Sequence, residues 1–440
     1  MELLNRLKRD KTTRKKLLIT MSIMFALLIG YQIPLPGINT EYLHMLNSAF
    51  SSGAGGIVNA ITGGSFSRMS VFALSVTPYI TASILLQLLT VIVPSLEKLS
   101  KSGSVGTQKM EKITLGITGI IAVIESIGLA VGLGKNGLFN TYNAWTVVYA
   151  TVVWTVGACV LVWVGQMITK KFIGNGISLI LLFNILSTLP TEVMNIWSYF
   201  AHEASIEKQI LIAVCIAVLF ILIIAYVVVL NNAEERLHIT NANKSGFRMT
   251  SANDNILPLK VNMGGVMPII FASSIMSFPV MIASIIGIEN ETWQKVFDVL
   301  NQGNWFRAEY MWTSIGAIVF VALAYVFSYF YFAISFNANE IAESLRKNGS
   351  VINGLRPGQP TADFLAKEAK HLLVIGTTML IVVAMLPIVL TGVLNMPATS
   401  FGGTTAIIIV GVLLEMKSML YAKTSSVSYK SLFKKKPIKR

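Results

Sequence analysis

The strongest constraint on this chain is the recurrence, from one end to the other, of apolar runs as long as a bilayer is thick. A hydrocarbon layer about 30 Å thick asks for about 20 apolar residues in a helix. Backbone groups inside it must find their hydrogen bonds within protein, so such runs fold as helices. The runs predict ten spans: Leu17–Ile33, Val71–Val93, Ile113–Leu133, Ala144–Ile168, a shorter one opened by GlyAsnGlyIleSer (174–178) and reaching Leu189 or beyond, Gln209–Leu230, Gly264–Gly287, Trp312–Ser335, Leu372–Leu390 and Thr404–Leu420. Only 13% of residues are charged and 54% are hydrophobic, with mean hydropathy +0.66, which leaves no room for a sizeable soluble domain. The expected class is an all-α polytopic membrane protein.

Charge orients the spans. The segment through Lys16 is basic and leads into the first run. ProLeuProGly (34–37) follows in place of a small-residue cleavage site, so this is read as a retained span and not a signal peptide. Ten spans put both termini on one side. Of the 35 lysines and arginines, only Arg68, Lys135, Lys208, Lys295 and Arg307 fall on the other. Positive charge concentrates in the cytoplasm, so both termini are expected there. The net charge of +14 then reports topology and needs no nucleic acid.

One stretch breaks the pattern. Residues 52–64 (SerGlyAlaGlyGlyIleValAsnAlaIleThrGlyGly) are too short and too glycine-rich to span, and Pro78 interrupts the run behind them. Irregular backbone at membrane depth is tolerated only inside protein or beside a water-filled cavity. A short, movable piece surrounded by the other spans is expected, facing outward.

Two loops are long and cytoplasmic. Residues 231–263 carry ArgLeuHisIleThr (236–240), an alternating pattern that predicts a hairpin. Residues 336–371 carry a short helix near 339–347 and then GlyLeuArgProGlyGlnPro (354–360). The tail ends LysLysLysProIleLysArg (434–440), suited to anionic lipid or a partner as well as to fixing topology.

Chemistry is sparse. Ionisable residues inside spans are Glu125, Glu415 and Lys417. A carboxylate in mid-membrane is costly and marks function more often than not. His44, His202, His238 and His371 show no metal-ligand spacing, and Cys159 and Cys215 read as small buried hydrophobes. GlyLeuGlyLysAsnGly (132–137) lacks the ending of a phosphate loop. No catalytic motif is present, so no enzyme, cofactor or metal is expected.

Five motifs, in order along the whole chain, carry a resemblance: GlyGlySerPheSerArgMetSerValPheAlaLeuSerValThrProTyrIleThrAlaSerIle (63–84), GlyAsnGlyIleSer (174–178), ProLeuLysValAsnMetGlyGlyValMetProIleIlePheAlaSerSer (258–274), GlyLeuArgProGlyGlnProThr (354–361) and PheGlyGlyThrThr (401–405). Together they resemble the SecY/Sec61-alpha family, the central channel subunits of the Sec protein translocase. The resemblance implies a clam-shell of two pseudo-symmetric five-helix halves, residues 1–200 and 201–423, with a basic tail over 424–440 and a short plug helix. It implies a protein-conducting channel in the bacterial plasma membrane that passes unfolded secretory polypeptides. Membrane segments would leave sideways through a gate between spans 2 and 7, next to spans 3 and 8.

By motif position the family's pore ring falls on Ile80, Ile84, Leu181, Ile185, Ile270 and Ile408. Ile80/Ile84 and Leu181/Ile185 are i, i+4 pairs, each on one helix face, and bulky apolar side chains can seal by dewetting. The plug falls on Gly53, Gly55, Gly56, Ile57, Val58, Ile61, Gly63 and Gly64, its glycines weakening a helix by about 1 kcal/mol each. Thr81, Gln87, Glu125, Ser273 and Ser274 would form a polar latch at the gate. Arg356, Arg236, Lys244, Arg248, Lys260 and Tyr429 would dock the SecA motor ATPase or the ribosome. GluGluArgLeu (234–237) departs from the family's arginine cluster there, which leaves docking at that loop open, as well as an accessory role. The implied partners are SecE-like and SecG-like small membrane subunits, SecA, the ribosome, signal sequences, unfolded polypeptide and lipid. A small-solute transporter would ask for several midplane charges, and only Glu125 is available.

Overall fold

The computed structural model of the 440-residue chain describes residues 11–39, 41–43, 62–100, 102–201, 206–241, 255–286, 290–393 and 403–434. The helices are α1 (Lys11–Gly30), α2 (Thr77–Ile92), α3 (Pro94–Ser100), α4 (Gly103–Lys135), α5 (Ala144–Lys171), α6 (Gly176–Ala201), α7 (Ile206–Asn232), α8 (Met267–Ile286), α9 (Glu291–Leu300), α10 (Ile315–Ser335), α11 (Ala338–Lys347), α12 (Gln359–Val393) and α13 (Gly403–Lys434). The ten apolar runs lie on α1, α2, α4, α5, α6, α7, α8, α10, α12 and α13. Among the described residues, five helical segments are each long and apolar enough to cross a membrane, and they lie on α4, α5, α6, α10 and α12.

Packing divides these helices into two groups. In the first, α4 packs on α5 and α2, and α6 packs on α5 and α1. In the second, α8 packs on α10, α12 lies against α10 and α13, and α7 lies against α12 and α13. The groups meet on one side where α6 touches α7 and α13, and on the other where α8 touches α4. One large apolar cluster runs through both, from Met24 and Leu161 to Phe320 and Ile408.

Several expected boundaries are corrected. The second run was expected to be helical from Val71, but α2 starts at Thr77 and has 16 residues. Residues 62–76 are a succession of turns, with Met69 and Ser75 at φ 45° and 51°. That left-handed backbone cannot enter a helix, whereas Pro78 in the first turn of α2 is pre-set for a helix start. The turns are stitched to the chain after α1: the Leu35 amide donates to the Met69 carbonyl (3.1 Å) and the Val71 amide to the Ile33 carbonyl (3.1 Å). Trp154 of α5, fully buried, donates its indole N–H to the Ser70 carbonyl at 3.1 Å. The axis then bends by 108° between α2 and α3.

Helices α4 and α12 run to 33 and 35 residues and α13 to 32, beyond their apolar runs. The first part of the basic tail therefore continues α13. Cys159, expected to be buried, is exposed on the apolar helix α5. The side chain of Cys215 lies outside the described residues.

The predicted hairpin forms. β1 (Glu234–Asn241) pairs antiparallel with β2 (Asn255–Lys260), Leu237 facing Leu257. A third strand, which no pattern in the sequence indicates, completes the sheet. β3 (Ser350–Ile352) joins the other side of β1, giving the order β2-β1-β3. Ile352 of β3 buries with Leu259 of β2 and with Leu365 and Leu372 of α12. The short helix near 339–347 is α11, capped by Asn337, whose side chain accepts from the Glu340 amide at 3.3 Å.

Candidate functional site

A cavity of 1070 Å³ opens at the sheet end of the bundle. Its wall takes Tyr79, Ile80 and Ser83 from α2, Ile177, Ser178 and Leu181 from α6, Met267, Ile270 and Phe271 from α8, and Ile408, Gly411 and Val412 from α13. Near the mouth the lining is polar: Asn175, Asn231, Asn262, Glu234, Lys260, Glu415 and Lys417. The Asn262 side chain donates to the Asn231 side chain at 2.8 Å.

Depth follows from chain direction. α6 and α8 begin at the sheet end, so Leu181 and Ile270 are among their innermost lining residues. α13 arrives from the opposite end, so Ile408, the first of its residues to reach the cavity, is its innermost. α2 arrives from that end too, and Ile80 is among the first of its residues to reach the wall. Four of the six ring candidates thus form an apolar floor, one from each of four helices. Ile84 and Ile185 are buried in the same apolar cluster but do not reach the wall. The cavity is thus polar at its mouth and apolar at its inner end.

Beyond the floor sits a polar cluster that scanning for ionisable residues missed. Asn184 of α6, adjacent to Ile185 and fully buried, donates its amide to the Ser75 hydroxyl at 3.0 Å. The Tyr31 hydroxyl lies beside both. Ser187 donates to the Asn184 carbonyl (2.7 Å) and reaches the Gly63 carbonyl (3.4 Å). A lone amide in the run LeuLeuPheAsnIleLeu (181–186) was the available signal. Such a group needs partners in a low-dielectric interior, and here they come from the turns before α2.

Of the plug candidates, Gly63 and Gly64 are described, and both are buried at φ 69° and 78°. Gly53, Gly55, Gly56, Ile57, Val58 and Ile61 lie outside the described residues. Of the gate candidates, Thr81 donates to the Thr77 carbonyl in its own helix (3.1 Å), and Gln87 donates to Ser83, also on α2 (3.2 Å). Glu125 is half-buried on α4, and Ser273 is buried on α8. Among the described residues no hydrogen bond joins Thr81, Gln87, Glu125, Ser273 and Ser274 to one another. The Ser273 and Ser277 hydroxyls are buried there without a partner.

Of the docking candidates, Arg356 is exposed on the turn before α12, where its carbonyl accepts from the Thr361 hydroxyl at 2.7 Å. Arg236 pairs with Glu234 at 3.1 Å on β1, and Lys260 faces Glu234 across the hairpin. Lys244 and Arg248 lie outside the described residues, as does the side chain of Tyr429.

Fold and cavity together define a polytopic helical membrane protein with a deep cavity between two groups of helices. The SecY family profile matches residues 70–417. The chain is 33% identical over 450 residues to the protein translocase subunit SecY of Corynebacterium glutamicum, covering 97% of this chain and 98% of that protein. It is 34% identical over 414 residues to that of Pseudomonas aeruginosa, covering 93% and 91%. Among solved structures it is similar to a protein-conducting channel, with TM-score 0.67 and 17% identity over 94% of this chain and 92% of that one. It is also similar to Sec61 in a canine ribosome–channel complex from the endoplasmic reticulum, with TM-score 0.64 and 17% identity over 94% and 92%. The chain belongs to the SecY family, and its function is protein translocation through a membrane channel.

Proposed function

We propose that the translocating polypeptide enters by the cavity, crosses the floor made by Ile80, Leu181, Ile270 and Ile408, and leaves past the turns of residues 62–76. The observation that carries this reading is the meeting of four bulky apolar side chains, from four helices and both packing groups, at the inner end of one cavity. Ile84 and Ile185 extend the seal one turn along α2 and α6. The halves are residues 1–200 and 201–423, opening about the α6–α7 connection. The face between α2 and α8, bordered by α4 and α10, is the way out to lipid. The plug is the stretch of residues 53–64, and Gly63 and Gly64 seat its end on α6.

The chain supplies a conduit and no catalysis, so the driving force comes from outside it. We assign the sheet, Arg356 and the mouth lysine Lys260 to docking of a SecA-type motor or the ribosome; the similar canine channel was solved with a ribosome. SecE-like and SecG-like subunits complete the complex. The membrane is the bacterial plasma membrane, with both termini cytoplasmic, a placement that the lysine and arginine distribution supports.

Site-specific crosslinking tests the route. A photoreactive residue at 270 or 408 is expected to capture a secretory substrate stalled in transit, dependent on its signal sequence. The same residue at 318, on the bilayer-facing side of α10, is expected not to. Capture at 318 but not at 270 or 408 would overturn the assignment.

A further inference from the structure

At the end of the bundle away from the sheet, α9 connects α8 to α10 and packs on both. Its sequence, GluThrTrpGlnLysValPheAspValLeu (291–300), is sharply two-faced. At 100° per residue, Trp293, Val296, Phe297 and Leu300 fall on one stripe, and Glu291, Gln294, Lys295 and Asp298 fall opposite. Glu291 and Lys295 pair at 3.0 Å on the polar side.

Only one end of the apolar stripe is used by the fold. Leu300 packs on the main apolar cluster, and the Val299 carbonyl accepts the indole N–H of the fully buried Trp305 at 2.7 Å. At the other end Trp293 is 54% exposed and Val296 43%, with Trp293 stacked on Phe297 at 6.1 Å between ring centroids. This exposed end belongs to a larger surface. In the 308–314 turn Met311 is 74% exposed and Trp312 42%, and at the start of α10 Ile315 is 58% and Ile318 70% exposed. On a membrane-spanning helix that surface faces lipid, and α9 packs on the 308–314 turn and on α10 itself.

From this continuity we propose that α9 is an interfacial anchor, with Trp293, Val296 and Phe297 seated at the boundary of headgroups and acyl chains at that end of the bundle. Three properties favour phospholipid as the occupant. Tryptophan concentrates at the membrane–water interface, where an apolar body and a polar N–H are both satisfied. A helix with one apolar and one charged face, lying at the end of a span, suits the interfacial plane. The stripe also runs on into surface that is already bilayer-facing. Because α9 hangs from α8, the anchor ties that end of α8 to the height of the bilayer surface.

The test is a depth measurement on the complete channel complex in phosphatidylethanolamine/phosphatidylglycerol vesicles. Single cysteines replace Trp293, Val296, Glu291, Gln294 and Ile318 in a chain carrying Cys159→Ala and Cys215→Ala. Each carries a bimane, and quenching is read with lipids brominated near the headgroup end of the acyl chain. Quenching at 293 and 296 is expected to be several-fold stronger than at 291 and 294, and to approach that at 318, which also reports proper insertion. Equal quenching at 291, 293, 294 and 296, with 318 quenched, would overturn the anchor. Protection of 293 and 296 from a water-soluble maleimide without quenching by lipid would overturn it in favour of a protein surface.

Discussion

Gly63 lies against the backbone of Asn184: a β-carbon on Gly63 would come within 3.1 Å of the Asn184 Cα, Cβ and Cγ alike. The contact joins the end of the glycine-rich stretch to the helix that carries Leu181 and Ile185. Two requirements coincide at Gly63, because its φ of 69° also disfavours ordinary side chains.

Gly63→Ala is therefore expected to unseat the turns from α6. The left-handed backbone alone costs about 1–2 kcal/mol, and the backbone contact adds to it. Export of a reporter with a defective signal sequence should rise several-fold, because a weaker seat lowers the barrier to opening. Unchanged export, with normal protein levels, would show that this contact does not hold the closed state.

Asn184 and Ser75 form a testable pair. Asn184→Ala leaves the buried Ser75 hydroxyl without its donor, and Ser75→Ala removes the acceptor of the Asn184 amide. Each is expected to lower the melting temperature of the purified complex. The double variant should cost less than the sum, by about 0.6 kcal/mol for an average membrane hydrogen bond. Strict additivity would mean that the two groups are satisfied independently.

Ser273 offers the opposite sign. Its buried hydroxyl has no partner among the described residues, and replacing an unsatisfied polar group by an apolar one is neutral or stabilising. Ser273→Ala should leave signal selectivity unchanged or tighten it. A clear loosening would mean that Ser273 latches α8 to a neighbour in the closed channel.

Ile408→Asn places a polar amide in the apolar floor. It is expected to admit water, to raise ion leak through reconstituted complexes, and to relax signal selectivity. Leu181→Ile keeps the bulk and should do neither. Equal conductance of the Ile408→Asn complex and the parent would remove Ile408 from the seal.

Ile352 ties β3 to β1 and to α12. Ile352→Ala should cost about 2–5 kcal/mol locally and free the turn that carries Arg356. Amide hydrogen exchange over residues 353–356, read by mass spectrometry, should be several-fold faster in the variant. An unchanged rate would show that the turn is held from α12 alone.

The spans were legible because lipid leaves the backbone one main solution, and apolar length reports it directly. Their ends were less so. Helix α12 starts at Gln359, well before the apolar run that opens at Leu372, since a helix can continue past the membrane through polar residues that carry no apolar signal. The start of α2 was misplaced because Val71, Phe72, Ala73 and Leu74 are apolar for packing against α5 and α1 rather than for crossing lipid. Tertiary hydrogen bonds through Ile33, Met69 and Ser70 decide that conformation, and no local pattern announces them. The hairpin showed its alternation, whereas a strand of three residues has too little sequence to show one. At the site, motif order located the floor residues, but it gave no hint of Asn184, whose role depends on Ser75 lying more than a hundred positions away.

The sheet that joins β1, β2 and β3 draws its strands from the segments flanking α7, α8, α10 and α12, and from no helix of the first packing group. Any load applied to it enters the second packing group first and reaches the first where α6 meets α7 and α13 and where α8 meets α4. A ligand gripping these strands would take hold of that second group, since α2, α4 and α5 contribute no strand to the sheet. On the proposed route its push would reach Ile270 from a distance, through the short linker from β2 into α8.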